Sequence, residues 1–322
     1  MPGVPARSQA EPLVDVVVPT HNTCELTMSC VESVLELGDP GEASPRCVVV
    51  DNASTDGTAD AVERRWPQTT VVRNSANAGF ASACNQGARA GSGEFVLFLN
   101  SDTVAQPGAV SRLAAYLAAQ PGFAAAGAKL VHAGTQRAQV GFAVRALPTL
   151  SAQLALILGL ERVWPGNPVS RRQLMLDFDY DRTQEAEQPA GACLMCRREA
   201  FEAVGGFDEG FHYWFEDVDL VRRLRRHGRI AYVHDAVFEH VGGATFETWH
   251  RAEVIASRYP SLFRYFDKHH PCSERVALRV VAGALAAMRA AAWAPFDGRR
   301  AAAYLEVMRL ALAPMRGAKG RR

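Results

Sequence analysis

Short runs of consecutive apolar residues, each closed by polar or glycine-rich residues, punctuate the first third of the chain. Val14 to Val18, broken only by Asp15, ends in Pro19-Thr20-His21-Asn22. Cys47 to Val50 ends in Asp51-Asn52-Ala53-Ser54-Thr55-Asp56-Gly57-Thr58. Thr70 to Arg73 runs into Asn74, and Phe95 to Leu99 lies between Gly91-Ser92-Gly93 and Asn100-Ser101-Asp102. Continuous apolar runs bounded by turn residues suit strands covered on both faces, as in a parallel sheet. Between them the spacing turns helical: Leu26, Cys30, Val34 and Leu37 share one face, residues 59–65 form a second helix, and Cys84, Asn85 and Ala88 lie in a third. The alternation predicts an α/β fold with a Rossmann-like, mostly parallel central sheet flanked by helices. Its ligand would sit at the carboxyl edge of the strands.

Further on, a helix is expected over 107–119 and a strand over 124–132, after which the pattern loosens from Gly141 to Glu187. Order returns with a strand over 189–196, a helix over 197–204, and a helix from Glu216 to His227 with Leu220 and Leu224 on its stripe. Two strands follow, over 229–233 and 236–240. After Pro271 come two alanine-rich helical stretches, 273–294 and 299–314, the first with an apolar face of Val276, Val280, Val281, Ala284 and Met288. This divides the chain into a leader (1–12), a body (13–270, split near residue 105) and a basic amphipathic helical tail (271–322).

Composition sharpens that division. The chain is 48% hydrophobic and 21% charged, enough for a sizeable core. From Ser273 onward ten basic residues face three acids, so the tail carries +7 and the remainder −6 of the net +1. An anionic membrane surface is the partner such a tail suits; a helical hairpin packed on the body is the alternative reading. No feature calls for nucleic acid. Seven scattered cysteines and no signal-peptide pattern suit a reducing, cytoplasmic setting, peripheral to the inner face of the plasma membrane. Cys193 and Cys196 have CxxC spacing but no second pair, and in a strand they point to opposite faces. No apolar run is expected to reach the ~18 residues of a membrane-spanning helix.

The candidate chemistry lies at strand ends. Asp102, Glu216-Asp217 and His240 are far apart in sequence, yet strand ends share one edge. A carboxylate and an imidazole, completed by a phosphate-bearing ligand, suit Mn²⁺ or Mg²⁺, leaving a second carboxylate free as general base. Plainer readings stand beside these: Asp102 as a helix cap, Asp51 as a turn former, Glu216 and Asp217 as acids favoured by a helix dipole. There is no G-x-G-x-x-G after the first strand and no G-x-x-x-x-G-K-[ST], which disfavours dinucleotide and nucleoside-triphosphatase readings. A nucleotidyltransferase would want a glycine- and lysine-rich loop where Pro19-Thr20-His21-Asn22 stands.

The ordered set of Pro19-Thr20-His21-Asn22, Val50 to Thr58, Asn74 to Phe80 with Asn85, and Leu99-Asn100-Ser101-Asp102-Thr103 resembles family 2 glycosyltransferases of the GT-A fold. Gly191-Ala192, Gly205 to Glu209, Glu216-Asp217-Val218-Asp219-Leu220 and His240-Val241-Gly242-Gly243 continue the same series. Within that family the chain looks most like bacterial rhamnosyltransferase-type enzymes of surface polysaccharide synthesis. The resemblance implies that Pro19, Thr20, Asn22 and Asp51 hold the nucleoside of a dTDP- or UDP-sugar, with Asn77, Gly79, Asn100 and Ser101 lining its pocket. Asp102 and His240 would hold the divalent metal, Gly191, Ala192 and Trp214 the donor sugar and acceptor, and Asp217, with Glu216 beside it, would be the catalytic base. Asn100 stands where the family's D-x-D motif has its first aspartate. The implied activity is inverting transfer of a sugar, rhamnose being one candidate, to a hydroxyl of a glycan or polyprenyl-linked acceptor. A catalytically inactive sugar-nucleotide-binding protein at the membrane is the alternative.

Overall fold

The computed structural model describes residues 13–36, 45–242 and 250–314. The leader, most of the loop expected over 38–45, Gly243 and the basic end from 315 lie outside the described residues. The first half of the chain builds β1 (Val14–Thr20), α1 (Cys24–Leu35), β2 (Arg46–Asp51), α2 (Thr58–Arg65), β3 (Thr70–Arg73), α3 (Phe80–Arg89), β4 (Phe95–Leu99), β5 (Thr103–Ala105), α4 (Ala109–Ala119) and β6 (Phe123–His132). A more irregular stretch holds β7 (Val144–Arg145), α5 (Leu150–Leu158), α6 (Leu160–Val163), α7 (Pro168–Gln173), β8 (Gln184–Glu185) and β9 (Gln188–Pro189). Then come β10 (Cys193–Arg197), α8 (Arg198–Ala203), α9 (Glu216–Leu224), β11 (Arg229–His240), α10 (Arg251–His269), α11 (Cys272–Trp293) and α12 (Gly298–Leu312).

Nine strands form one sheet in the order β3-β2-β1-β4-β10-β6-β11-β5, with β8 added on β11. The first four in this row are parallel, β10 runs against both β4 and β6, and β11 runs with β6. It follows that the carboxyl ends of β1, β2, β4 and β11 and the amino end of β10 all open onto one edge. Alternation along β4 explains the two-sided core: Phe95, Leu97 and Leu99 enter one buried cluster, Val96 and Phe98 the other.

Three expectations need correction. The strands expected over 229–233 and 236–240 are one strand, β11, with a register shift between Val233 and Val237. A bulge absorbs the polar His234-Asp235 pair without ending the strand. The strand expected over 189–196 is broken into β9 and β10, because Ala190 to Ala192 leave the ladder to meet the site. And α11, by length and composition alone, is apolar enough to cross a membrane, contrary to the reading of the sequence. Its alanines sustain the average, while Arg279 and Arg289 bond Asp267 and the Ile157 carbonyl of the body.

The C-terminal helices share a third core with the loop before α9. Leu278, Ala282, Ala286 and Ala290 of α11 and Tyr304 and Val307 of α12 join Leu262 and Phe266 of α10, together with Phe211 and Phe215. Of the face expected from spacing, Val276, Val280, Ala284 and Met288 point outward, while Val281 is half-buried. Buried Asp219 locks α9 to α10, its carboxylate 2.7 Å from each of Arg223, Lys268 and His269.

Candidate active site

At the shared edge Asp102 Oδ1 lies 3.5 Å from His240 Nε2, both side chains largely buried. Residue pairing explains this: His240 of β11 opposes Thr103 of β5, the residue next to Asp102. Gln139 orients the imidazole. Its Nε2 donates to the His240 carbonyl at 2.7 Å, which fixes the amide so that Oε1 faces the ring. The His240 Nδ1 at 2.9 Å must then donate to Oε1, and Nε2 is the ring nitrogen that faces Asp102. Phe142 stacks on the imidazole at 4.9 Å between centroids and 13° between planes.

The second carboxylate is tied to the first through the gap between β9 and β10. Ala192 O accepts from Asn100 N at 3.0 Å, and the preceding Gly191 N donates to Asp217 Oδ2 at 3.0 Å. Gln188 Nε2 donates to the same oxygen at 3.2 Å, and Val218 N to Oδ1 at 2.8 Å. Gly191 must be glycine for space, because a Cβ there would lie 2.7 Å from Asp217 Cβ. Trp214 (φ 69°) and Phe215 (φ 67°) both take left-handed conformations as the chain turns into α9, strain of the sort found at functional sites.

Electrostatics separates the two neighbouring acids. Burial, with the Asp217 charge added, pushes the Glu216 carboxyl up to about 8, and its Oε2 has no hydrogen-bond partner among the described residues. Burial also raises Asp217, but the Gly191 and Val218 amides and the Arg145 charge pull it back. Burial therefore favours the protonated form of Glu216, while the amide donors and Arg145 favour the anion of Asp217.

The residues expected around a nucleoside lie along the same edge. Asp51, buried at the end of β2, accepts from Ser54 N at 3.0 Å. Asn22 (φ 53°) accepts from Thr55 N at 2.7 Å, which joins the loops after β1 and β2. Pro19 pairs with Val50 within the sheet, and Thr20 Oγ1 meets Thr27 Oγ1 at 2.7 Å. Ser101 Oγ meets Thr23 Oγ1 at 3.1 Å. Asn77 accepts from Gly79 N at 3.0 Å; Gly79 has φ 83°, and a Cβ on it would come 3.0 Å from His212 Nδ1. Spacing gave no sign of Gln139, Phe142, Arg145 or Gln188, which stand alone in the irregular middle stretch. A groove of about 2070 Å³ runs instead between α3, α8, α10 and the C-terminal helices, and is lined by none of Asp51, Asp102, Asp217 or His240.

The sheet and its edge have the build of a GT-A glycosyltransferase, and comparison with known proteins agrees. The family model described as glycosyl transferase family 2 matches residues 15–158, and that described as the N-terminal domain of galactosyltransferase matches 172–241. The chain is 30% identical over 250 residues to an N-acetylglucosaminyl-diphospho-decaprenol L-rhamnosyltransferase of Mycobacterium tuberculosis, covering 72% of this chain and 78% of the relative. It is 29% identical over 228 residues to the O-antigen biosynthesis protein RfbC of Myxococcus xanthus, covering 67% of this chain and 16% of that one. Among solved structures, the mannosyltransferase PcManGT from Pyrobaculum calidifontis, in complex with GDP-Man and Mn²⁺, superposes with a TM-score of 0.54 at 22% identity, covering 95% and 82% of the two chains. The S. aureus TarS 1–349 structure does so at 0.52 and 17%, covering 92% and 90%. The chain belongs to glycosyltransferase family 2 and is rhamnosyltransferase-like.

Proposed function

We propose that the protein is an inverting glycosyltransferase that moves a sugar, L-rhamnose being the first candidate, from a nucleoside diphosphate to a hydroxyl of a lipid-linked or glycan acceptor in cell-surface polysaccharide synthesis. The observation that carries the reading is the tie, through Gly191 and Ala192, between the Asp102–His240 pair and the Asp217 carboxylate held by backbone amides. Asp217 takes the proton of the acceptor hydroxyl, and that oxygen bonds to the anomeric carbon. The bond from that carbon to the diphosphate oxygen breaks, and nucleoside diphosphate departs. Asp51, Asn22 and the residues beside them hold the nucleoside.

One carboxylate and one imidazole whose Nε2 faces it fit a divalent cation, Mn²⁺ or Mg²⁺, whose remaining ligands would come from substrate phosphate. Such an ion, when bound, neutralises charge gathering on the leaving diphosphate. Asn100 contributes no charge, so Asp102 is the carboxylate that matters. The membrane surface enters as the place of work, on the cytoplasmic side. Supporting it is the outer stripe of α11, where Val280 and Met288 are 64% and 68% exposed.

The test is a thermal-shift panel of dTDP-, UDP- and GDP-sugars with and without Mn²⁺. One donor class at 100 times its Kd should stabilise the protein by about 2.7 kcal/mol, with Mn²⁺ required and Asp102→Ala abolishing the effect. No shift with any donor would overturn the reading.

A further inference from the structure

Two arginines, Arg145 within reach of the Asp217 charge and Arg258 on α10, form no salt bridge among the described residues. Arg145 lies in β7 opposite Gln188 of β9, the residue whose side chain donates to Asp217. Its guanidinium stands 5.8 Å from the Phe142 ring, which also stacks on His240. Arg145 therefore sits one aromatic ring from the Asp102–His240 pair and one strand pairing from Asp217. Its Nε donates to Gly141 O at 2.7 Å, and no carboxylate forms a salt bridge with it among the described residues. Arg258 of α10 approaches from the helical side, where its Nη2 donates to Gln153 Oε1 at 3.3 Å, again with no salt bridge. Gln153 is buried on α5.

The surroundings disfavour both charges. Burial lowers the pKa of each, and Arg145 lowers that of Arg258 further. Neighbouring protein crowds both guanidinium groups, while the Arg145 residue stays exposed and Arg258 half-buried. A guanidinium offers five donors in a fork that matches phosphate oxygens. Here each fork spends one donor on the protein and keeps the others. Farther along α5, beyond Gln153, Leu156 and Leu158 are more than half exposed.

We propose that Arg145 and Arg258 form an anion site for a phosphate or diphosphate group of the acceptor, on the side of Phe142 away from the Asp102–His240 pair, with the acceptor's lipid leaving over Leu156 and Leu158. This rests on the reading of Asp217 as the base that meets the acceptor hydroxyl. The same chemistry could come from the donor's diphosphate, so the test separates the two sources.

Farnesyl diphosphate binding is titrated calorimetrically to the full chain with UDP or dTDP and Mn²⁺ already saturating, and farnesol serves as the phosphate-free control. The affinity of UDP and dTDP is measured separately on each variant. Arg145→Gln and Arg258→Gln should each weaken farnesyl diphosphate more than tenfold and leave the nucleotide within twofold, while farnesol binds wild type at least tenfold more weakly than the diphosphate. The Arg→Lys variants, which keep charge and bulk, guard against misfolding and should recover part of the affinity. Nucleotide affinity falling in step with Arg145→Gln would assign the arginines to the donor and overturn the proposal. Equal farnesyl diphosphate binding by wild type and variants would overturn it as well. Neither readout depends on turnover, so a failure here is distinct from a failure of the transferase reading.

Discussion

Replacing Gly191 by alanine would set a methyl carbon 2.7 Å from Asp217 Cβ and 3.1 Å from its Oδ2, where ordinary contact begins near 3.4 Å. The gap between 2.7 and 3.4 Å means that the base, or the β9–β10 joint that carries Gly191, must retreat by roughly 0.7 Å. Gly191 has no positive φ, so alanine meets no backbone strain, only this contact. Both partners are backbone-near atoms on packed elements, with no flexible end to swing aside. A misplacement approaching 1 Å costs on the order of 10²-fold in rate, or about 2.7 kcal/mol of transition-state stabilisation. Steady-state transfer with a radiolabelled donor should therefore show kcat down by about that factor. Nucleoside diphosphate affinity and melting temperature should stay near wild type. Unchanged kcat would refute the inference that Gly191 sets the position of Asp217. Parallel loss of nucleotide affinity would show that the strain reaches the donor pocket instead.

Glu216 gives a pH prediction. Its carboxyl moves from 4.5 unfolded to about 8 folded, so the folded state keeps a proton that the unfolded state loses. Stability is fully present below pH 4.5 and drains away as pH rises towards 8. Glu216→Gln should flatten that slope and raise stability at pH 7, with about 3 kcal/mol as a ceiling, while transfer stays within about tenfold of wild type. Denaturant melts at pH 5 and pH 8 that shift equally for variant and wild type would contradict the proton assignment. At the membrane, wild type should float with anionic vesicles, and a Val280→Asp/Met288→Asp double variant, changed only at exposed positions of α11, should not. Equal flotation would remove this stripe from the membrane contact.

The parallel half was legible because each strand is a continuous apolar run, and covered strands need no alternation to announce them. Asp51, Asp102 and His240 could be set on one edge from strand ends alone. The rest depended on tertiary packing. α10 went unseen because Pro260 interrupts its pattern, and proline usually ends a helix; Tyr259, Leu262 and Phe266 are buried around it regardless. The apolar stripe chosen on α11 is its outer one, since the alanines that bury against α10 and α12 carry little periodic signal. Gln139 and Gln188 were invisible for a different reason. Each is a lone amide in an irregular stretch, and Gln139 acts on a residue 101 positions away. Asp219, by contrast, reads as part of the acidic motif and turns out to be a structural tie to α10.

The most direct test of the account is Asp217→Asn, assayed for transfer and for donor binding on the same preparation. The amide keeps the shape but cannot take the acceptor proton, so kcat should fall by about 10³-fold or more while donor affinity holds within about twofold. Transfer that persists within about tenfold of wild type would contradict the assignment of Asp217 as the base, and with it the mechanism proposed for this site.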